Sequence, residues 1–179
     1  MESQRREGLP PVGKASFIAS LETDVPVTRS VDHIRHLVER FGAMEFGIQY
    51  DPVSGRPCAV SFKVKDPHVG AGLPVALRAP YETVLKQILD GKKRSWDSDV
   101  KARAKEQAER VAWRNLHDFV RASLIGVQTG IMSLGEAFLA NLVVTLPTGE
   151  AKRLGELVIE RNLLHPAPEG GKLMLGPGA

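Results

Sequence analysis

A stretch of 27 residues from Asp97 to Ser123, DSDVKARAKEQAERVAWRNLHDFVRAS, runs without a single Pro or Gly. Its first half is mostly Ala, Arg, Lys, Glu and Gln, residues that lose little side-chain freedom in a helix. Asp97, Ser98 or Asp99 can accept hydrogen bonds from the free N–H groups at its start. The pattern predicts one long helix that the remaining chain must pack around. At 100° per residue, Val100, Ala104, Ala108, Val111, Ala112, Phe119 and Ala122 fall on one side as the expected buried stripe. Arg103, Arg110, Arg114 and Arg121 fall on another side, in a strip about 27 Å long at a rise of 1.5 Å per residue. Trp113 and His117 flank that strip. Two readings stand. Glu106 lies four residues before Arg110 and Arg114 four before Asp118, as on a solvated helix face with local ion pairs. Regular arginines beside a ring that can stack on a base also suit a nucleic-acid strand.

Charge distribution bears on that choice. The 179-residue chain carries a formal net charge of only +3. Between Lys86 and Arg121, however, ten basic residues face six acidic ones, which leaves the rest of the chain at −1. A local positive field is what an anionic partner would meet. A composition of 42% hydrophobic and 25% charged residues suits a globular chain able to bury a core without disulfides. Cys58 is the single cysteine, which excludes an internal disulfide and a cysteine-based zinc site. The opening MESQRREGLPPVGK is polar, and no run of about 18 apolar residues occurs. A cytoplasmic protein with no membrane span is expected.

Residues 1–15 are expected to be a disordered lead, 16–162 a single α+β domain and 163–179 a flexible tail. Phe17 to Leu21 reads as a short strand, and Val25-Pro26-Val27 as extended chain. Ser30 is the expected cap of a helix to Phe41, with Val31, Ile34, Leu37, Val38 and Phe41 apolar and Gly42 behind it. Met44, Phe46, Ile48 and Tyr50 alternate with polar residues or Gly. After the turn Asp51-Pro52-Val53-Ser54-Gly55, Val60, Phe62 and Val64 do the same. This is a hairpin whose apolar face should pack on the helix, leaving Glu45, Gln49, Ser61, Lys63 and Lys65 on a wet face. Leu73, Val75 and Leu77 form a third strand, at an edge because of Pro74. A helix follows at 81–89, and then Lys92-Lys93-Arg94-Ser95-Trp96, a basic turn with a ring beside it. That turn could contact phosphate, or could be solvated with Trp96 folded onto the core. Ser133-Leu134-Gly135-Glu136 reads as a capping box opening a helix with Leu134, Phe138 and Leu142 inside. Leu146-Pro147-Thr148-Gly149 breaks the chain before a last helix from Glu150 to Asn162.

Catalytic spacing is hard to find. Gly70 and Gly72 lack the following Gly-Lys-Ser/Thr of a phosphate loop. Glu45, Asp51 and Asp66 lie near strand ends without the spacing of a metal nuclease, and no nucleophile is paired with a base. His33 and His36 could share a metal only with further ligands that no recognised spacing supplies. No catalytic residue, metal or cofactor is assigned.

The residues Val111-Ala112-Trp113-Arg114, Asp118-Phe119-Val120, and Gly130-Ile131-Met132 through Phe138 carry a resemblance. The run from 106 to 139 resembles a family of small uncharacterised bacteriophage and prophage proteins, in which a basic helix and a Gly-Met-type segment follow a β-rich half. The chain departs from that pattern after Phe138, where it reads LANLVV rather than a Pro-Tyr type ending. The resemblance implies a viral origin, hence the cytoplasm of a host cell, and transfers no activity. The reading that results is a small antiparallel sheet of about three strands on a helix, with a mainly helical C-terminal half. The function expected is nucleic-acid binding, with single strands favoured, through Lys63, Lys65, Lys92, Lys93, Arg94, Trp96, Arg103, Arg110, Trp113, Arg114 and Arg121. The alternative is a protein that acts through protein–protein contacts, such as a host-factor inhibitor or a particle component. The surplus of apolar positions after residue 134 suggests a homodimer.

Overall fold

The computed structural model describes residues 20–65, 72–90 and 98–163. The expected lead, most of the strand at 17–21, the basic turn Lys92-Lys93-Arg94 with Trp96, and the tail from residue 164 onward lie outside the described residues. The elements, in chain order, are α1 (Val27–Arg40), β1 (Met44–Tyr50), β2 (Pro57–Lys65), β3 (Gly72–Arg78), α2 (Tyr81–Asp90), α3 (Ser98–Gln128), α4 (Leu134–Ala137), β4 (Val143–Thr145), β5 (Ala151–Arg153) and α5 (Leu154–Glu160). The chain is α+β, as its alternation predicts.

Three strands form an antiparallel sheet in the order β1-β2-β3. Val60 sits between Ile48 and Leu77, Phe62 opposite Val75, and Val64 opposite Leu73. Side chains alternate across a strand, so these residues share one face. That face meets Val31, Ile34 and Val38 of α1 and Trp113, Leu116, Val120 and Leu124 of α3 in one buried cluster. A bulge interrupts β1, where Glu45 takes φ +56° and the register shifts between Met44 and Gly47.

Helix α3 has two buried faces. In its first half, Ala108, Val111 and Ala112 pack on Val84 of α2. In its second half, Trp113, Leu116, Val120 and Leu124 pack on the sheet and α1. The buried stripe thus turns by roughly 130° along the helix at 100° per residue. The stripe expected from the wheel is correct for Ala104, Ala108, Val111 and Ala112. It fails for Phe119 and Ala122, which are exposed because α2 does not cover the second half of α3, and for Val100, which is exposed in the first turn.

Other boundaries are also corrected. Ser30 is not a cap. It is fully buried inside α1, which begins three residues earlier behind Pro26. Pro26 supplies a fixed φ just outside the helix, and no side chain caps its first turn. The Ser133–Glu136 capping box forms as expected: Ser133 N–H donates to Glu136 Oε2 at 2.7 Å, and Glu136 N–H to Ser133 Oγ at 3.2 Å. The helix it opens is a single turn. It gives way to a 3-10 turn over Leu139–Asn141, and Leu142 then bridges to Val75 on the outer edge of β3. Phe138 is fully buried, with its ring edge-on to Phe62 at 5.6 Å. Leu146-Pro147-Thr148-Gly149 does not merely break the chain. It is the turn of a second hairpin, β4–β5, with Gly149 at φ +83°. The last helix is therefore shorter than expected, starting at Leu154 rather than Glu150.

Gly155 allows α5 to press against the 3-10 turn: a Cβ there would lie 2.9 Å from the Ala140 carbonyl oxygen. Gly155→Ala is expected to destabilise the fold by about 1–3 kcal/mol through overpacking. A urea titration checks this; an unchanged midpoint would refute the close packing of α5.

Candidate nucleic-acid interface

The expected interface starts from α3, so its neighbour α1 matters first. Gln107 Nε2 donates to the Leu21 and Thr23 carbonyls at 2.8 and 3.1 Å. Further along, the rings of His33 and His117 meet with centroids 5.7 Å apart. Thr23 and Gln107 are 84 residues apart, and so are His33 and His117. Equal separations at two levels mean that α1 runs alongside α3 in the same direction.

The two histidines fix which faces of the helices adjoin. On α1, Arg29 lies four residues before His33 and Arg40 seven after it. On α3, Arg110, Arg114 and Arg121 lie seven before, three before and four after His117. Residues at these spacings share a helix face. The arginines of both helices therefore flank one seam, and Arg103 extends it one heptad earlier. Arg29, Arg40, Arg103 and Arg121 are exposed and have no ion pair among the described residues. The central pair is engaged: Arg110 meets Glu106 and Arg114 meets Asp118, each at 3.5 Å. Asp118 Oδ1 also lies 2.9 Å from Nδ1 of the buried His117. Along α3 the free cations thus lie towards the ends and the internally balanced pairs at the middle, while Arg29 of α1 stands level with that middle.

Trp113 does not flank the strip. It is 1% exposed, and its indole Nε1 donates to the Pro57 carbonyl of β2 at 3.2 Å. No base can stack on it. The position lies on the second buried face of α3, which the single-stripe reading did not contain. Lys63 and Lys65 are also separated from the strip. They alternate with Phe62 and Val64 and so occupy the sheet face turned away from the helices. Lys63 is further tied to Glu45 at 2.6 Å across the strand pair. Sequence reasoning missed Arg29 and Arg40, whose only signal was heptad-like spacing about His33.

The other candidate groups have ordinary partners. His36 lies 3.8 Å from Glu39. Asp51 turns inward on its own loop, accepting from Val53 N–H, Ser54 N–H and the Ser54 hydroxyl at 3.1, 2.7 and 2.9 Å. The Ser54 bonds hold its carboxyl below the usual carboxylate range. Among the described residues, no three His, Cys, Asp or Glu side chains gather as a metal site, and no helix is long and apolar enough to cross a membrane. No known protein family, curated protein or solved structure matches the chain.

The burial of Trp113 separates two roles. Trp113→Ala is expected to cost about 3–5 kcal/mol of stability, as for other buried large-to-small changes. In the remaining folded protein it should leave nucleic-acid affinity unchanged. Thermal melts paired with an anisotropy titration below the melting point check this, and a selective loss of affinity would return the indole to the interface.

Proposed function

We propose that the protein binds a nucleic-acid backbone along the α1–α3 seam, in the service of a bacteriophage. The observation that carries this reading is the His33–His117 contact, about which Arg29 and Arg40 of α1 and Arg103, Arg110, Arg114 and Arg121 of α3 are spaced as residues of adjoining helix faces. Guanidinium groups present forked donors that match phosphate oxygens, and their charge is independent of pH in the working range. Contacts of this kind position a strand without reading its sequence. With Trp113 inside the core, the preference for single strands expected from the sequence loses one of its two rings. The viral setting is supported by the resemblance of residues 106–139.

A second reading is favoured by a different surface. Phe119, Ile125 and Ile131 are 44%, 49% and 74% exposed around the bare second half of α3. Exposed apolar side chains of this size suit contact with a protein partner or a second copy of the chain. Salt separates the two readings, since an apolar contact survives ionic strength that strips a phosphate binder.

The test is an anisotropy titration with single-stranded DNA, duplex DNA and RNA at several salt concentrations. The double variant Arg103→Ala/Arg121→Ala removes two exposed, unpaired cations and should fold normally. For it, the slope of log affinity against log salt is expected to fall by roughly 1.4 to 1.8, from about 0.7–0.9 per phosphate contact. Arg29→Ala/Arg40→Ala is expected to do the same from the other helix. Wild-type affinity in both variants would defeat the reading.

A further inference from the structure

On another side of α3 a cavity of about 680 Å³ opens between the β1–β2 turn, the β3–α2 junction and the helix. That volume lies within the range of small-molecule sites, about 300–1,000 Å³. Lys105, Glu109, Ala112 and Trp113 line it at helical spacing, roughly 135° round the helix from the arginine strip at 100° per residue. Pro57 and Tyr81 supply apolar walls. The group that distinguishes this cavity is Glu109. Its side chain is only 18% exposed, and among the described residues its carboxylate accepts no hydrogen bond. The nearest cation, Arg56 Nη1 on the turn between β1 and β2, stands 3.7 Å away, beyond hydrogen-bonding length. A half-buried carboxylate is an acceptor only, and its two oxygens match a pair of parallel N–H donors. Lys105, one helical turn earlier, is exposed at the mouth without an ion pair among the described residues.

We propose that this cavity binds a small ligand with paired N–H donors on a planar head and an acidic group at its other end. A guanine nucleotide and the amino acid arginine share that chemistry. The planar head enters between Tyr81 and the apolar floor, and its donors take the place in front of Glu109 that Arg56 approaches. The released Arg56, together with Lys105, meets the acidic group at the mouth. Glu82 stands on the rim at the first turn of α2, and Asp51 is held by its own turn through Oδ1, which accepts from Val53 N–H, Ser54 N–H and the Ser54 hydroxyl. The site does not depend on the arginine seam.

Cys58, the single cysteine of the chain, lines the cavity half-buried and reports on its occupancy. The experiment measures the rate at which a thiol reagent modifies Cys58 with GMP, N-acetylarginine or AMP present. AMP carries the acidic group but lacks the paired donors. GMP or N-acetylarginine is expected to slow modification, and whichever does so identifies the source of the donors, while AMP is far weaker. Glu109→Gln and the surface change Lys105→Ala should each raise the concentration needed for protection by roughly tenfold. Three results would overturn the proposal: no protection by either ligand at about 10 mM, a very weak affinity on any scale; equal protection by AMP; or undiminished protection in Lys105→Ala together with a folded Glu109→Gln.

Discussion

The hydrogen bond from Trp113 Nε1 to the Pro57 carbonyl ties the middle of the longest helix to the first residue of the central strand. An indole this deeply buried contributes a large apolar area, and its N–H must still find an acceptor. Pro57 opens β2 opposite Tyr50, so the bond is made where the sheet begins rather than within its ladder. From that point α3 is committed to two directions. Before it, small residues face α2; after it, Leu116, Val120 and Leu124 face the sheet and α1. The arginine strip stays outside both contacts because it occupies the remaining side of the helix. The seam with α1 and the cavity near Glu109 both follow from how that one residue rotates the helix's buried surface.

The sheet was legible because both strand faces differ and the period is two. A shift by one residue would have put Val60, Phe62 and Val64 in water. The helix α3 was legible because nothing interrupts it. What the sequence did not show is where each element stops covering its neighbour. Phe119 looked buried because a wheel averages over the full helix, whereas α2 covers only about its first half. The short second hairpin was missed for a related reason. Strands of three residues, Val143–Thr145 and Ala151–Arg153, are too brief for alternation to register, and Glu150 onward has helical composition. It sits beside the edge of β3, where Leu142 bridges to Val75.

At the candidate interface, the four arginines of α3 were readable from spacing alone, since a helix surface follows directly from its period. The two from α1 were not, because which helix lies beside α3, and in which direction, is a tertiary fact. Charge could not reveal it either: Asp32 and Glu39 on α1 hide Arg29 and Arg40 from any count along the chain. Trp113 was misread for the opposite reason. An aromatic residue next to an arginine is compatible with stacking or with burial, and only the position of Pro57 decides between them. The same limit applies to Glu109, whose companion Arg56 comes from a distant turn and whose lack of donors no sequence pattern records.

The seam also explains why net charge is a poor guide to this surface. Glu106 and Asp118 balance the central arginines at 3.5 Å, where exposed pairs contribute little to stability, about 0–1 kcal/mol each. Their main effect is on the field. A polyanion approaching the middle of α3 meets pairs that are already nearly neutral, and must displace a carboxylate to gain a phosphate contact. At the ends, Arg103 and Arg121 require no such displacement. They lie about 27 Å apart at 1.5 Å per residue. At roughly 3.4 Å per phosphate along one strand, that distance spans about eight phosphates. A backbone long enough to reach both ends gains two unopposed cations plus whatever Arg29 and Arg40 add across the seam. A mononucleotide gains at most one of them. In the proposed binding mode the spacing of unpaired arginines, rather than their number, therefore selects polymers over small phosphates.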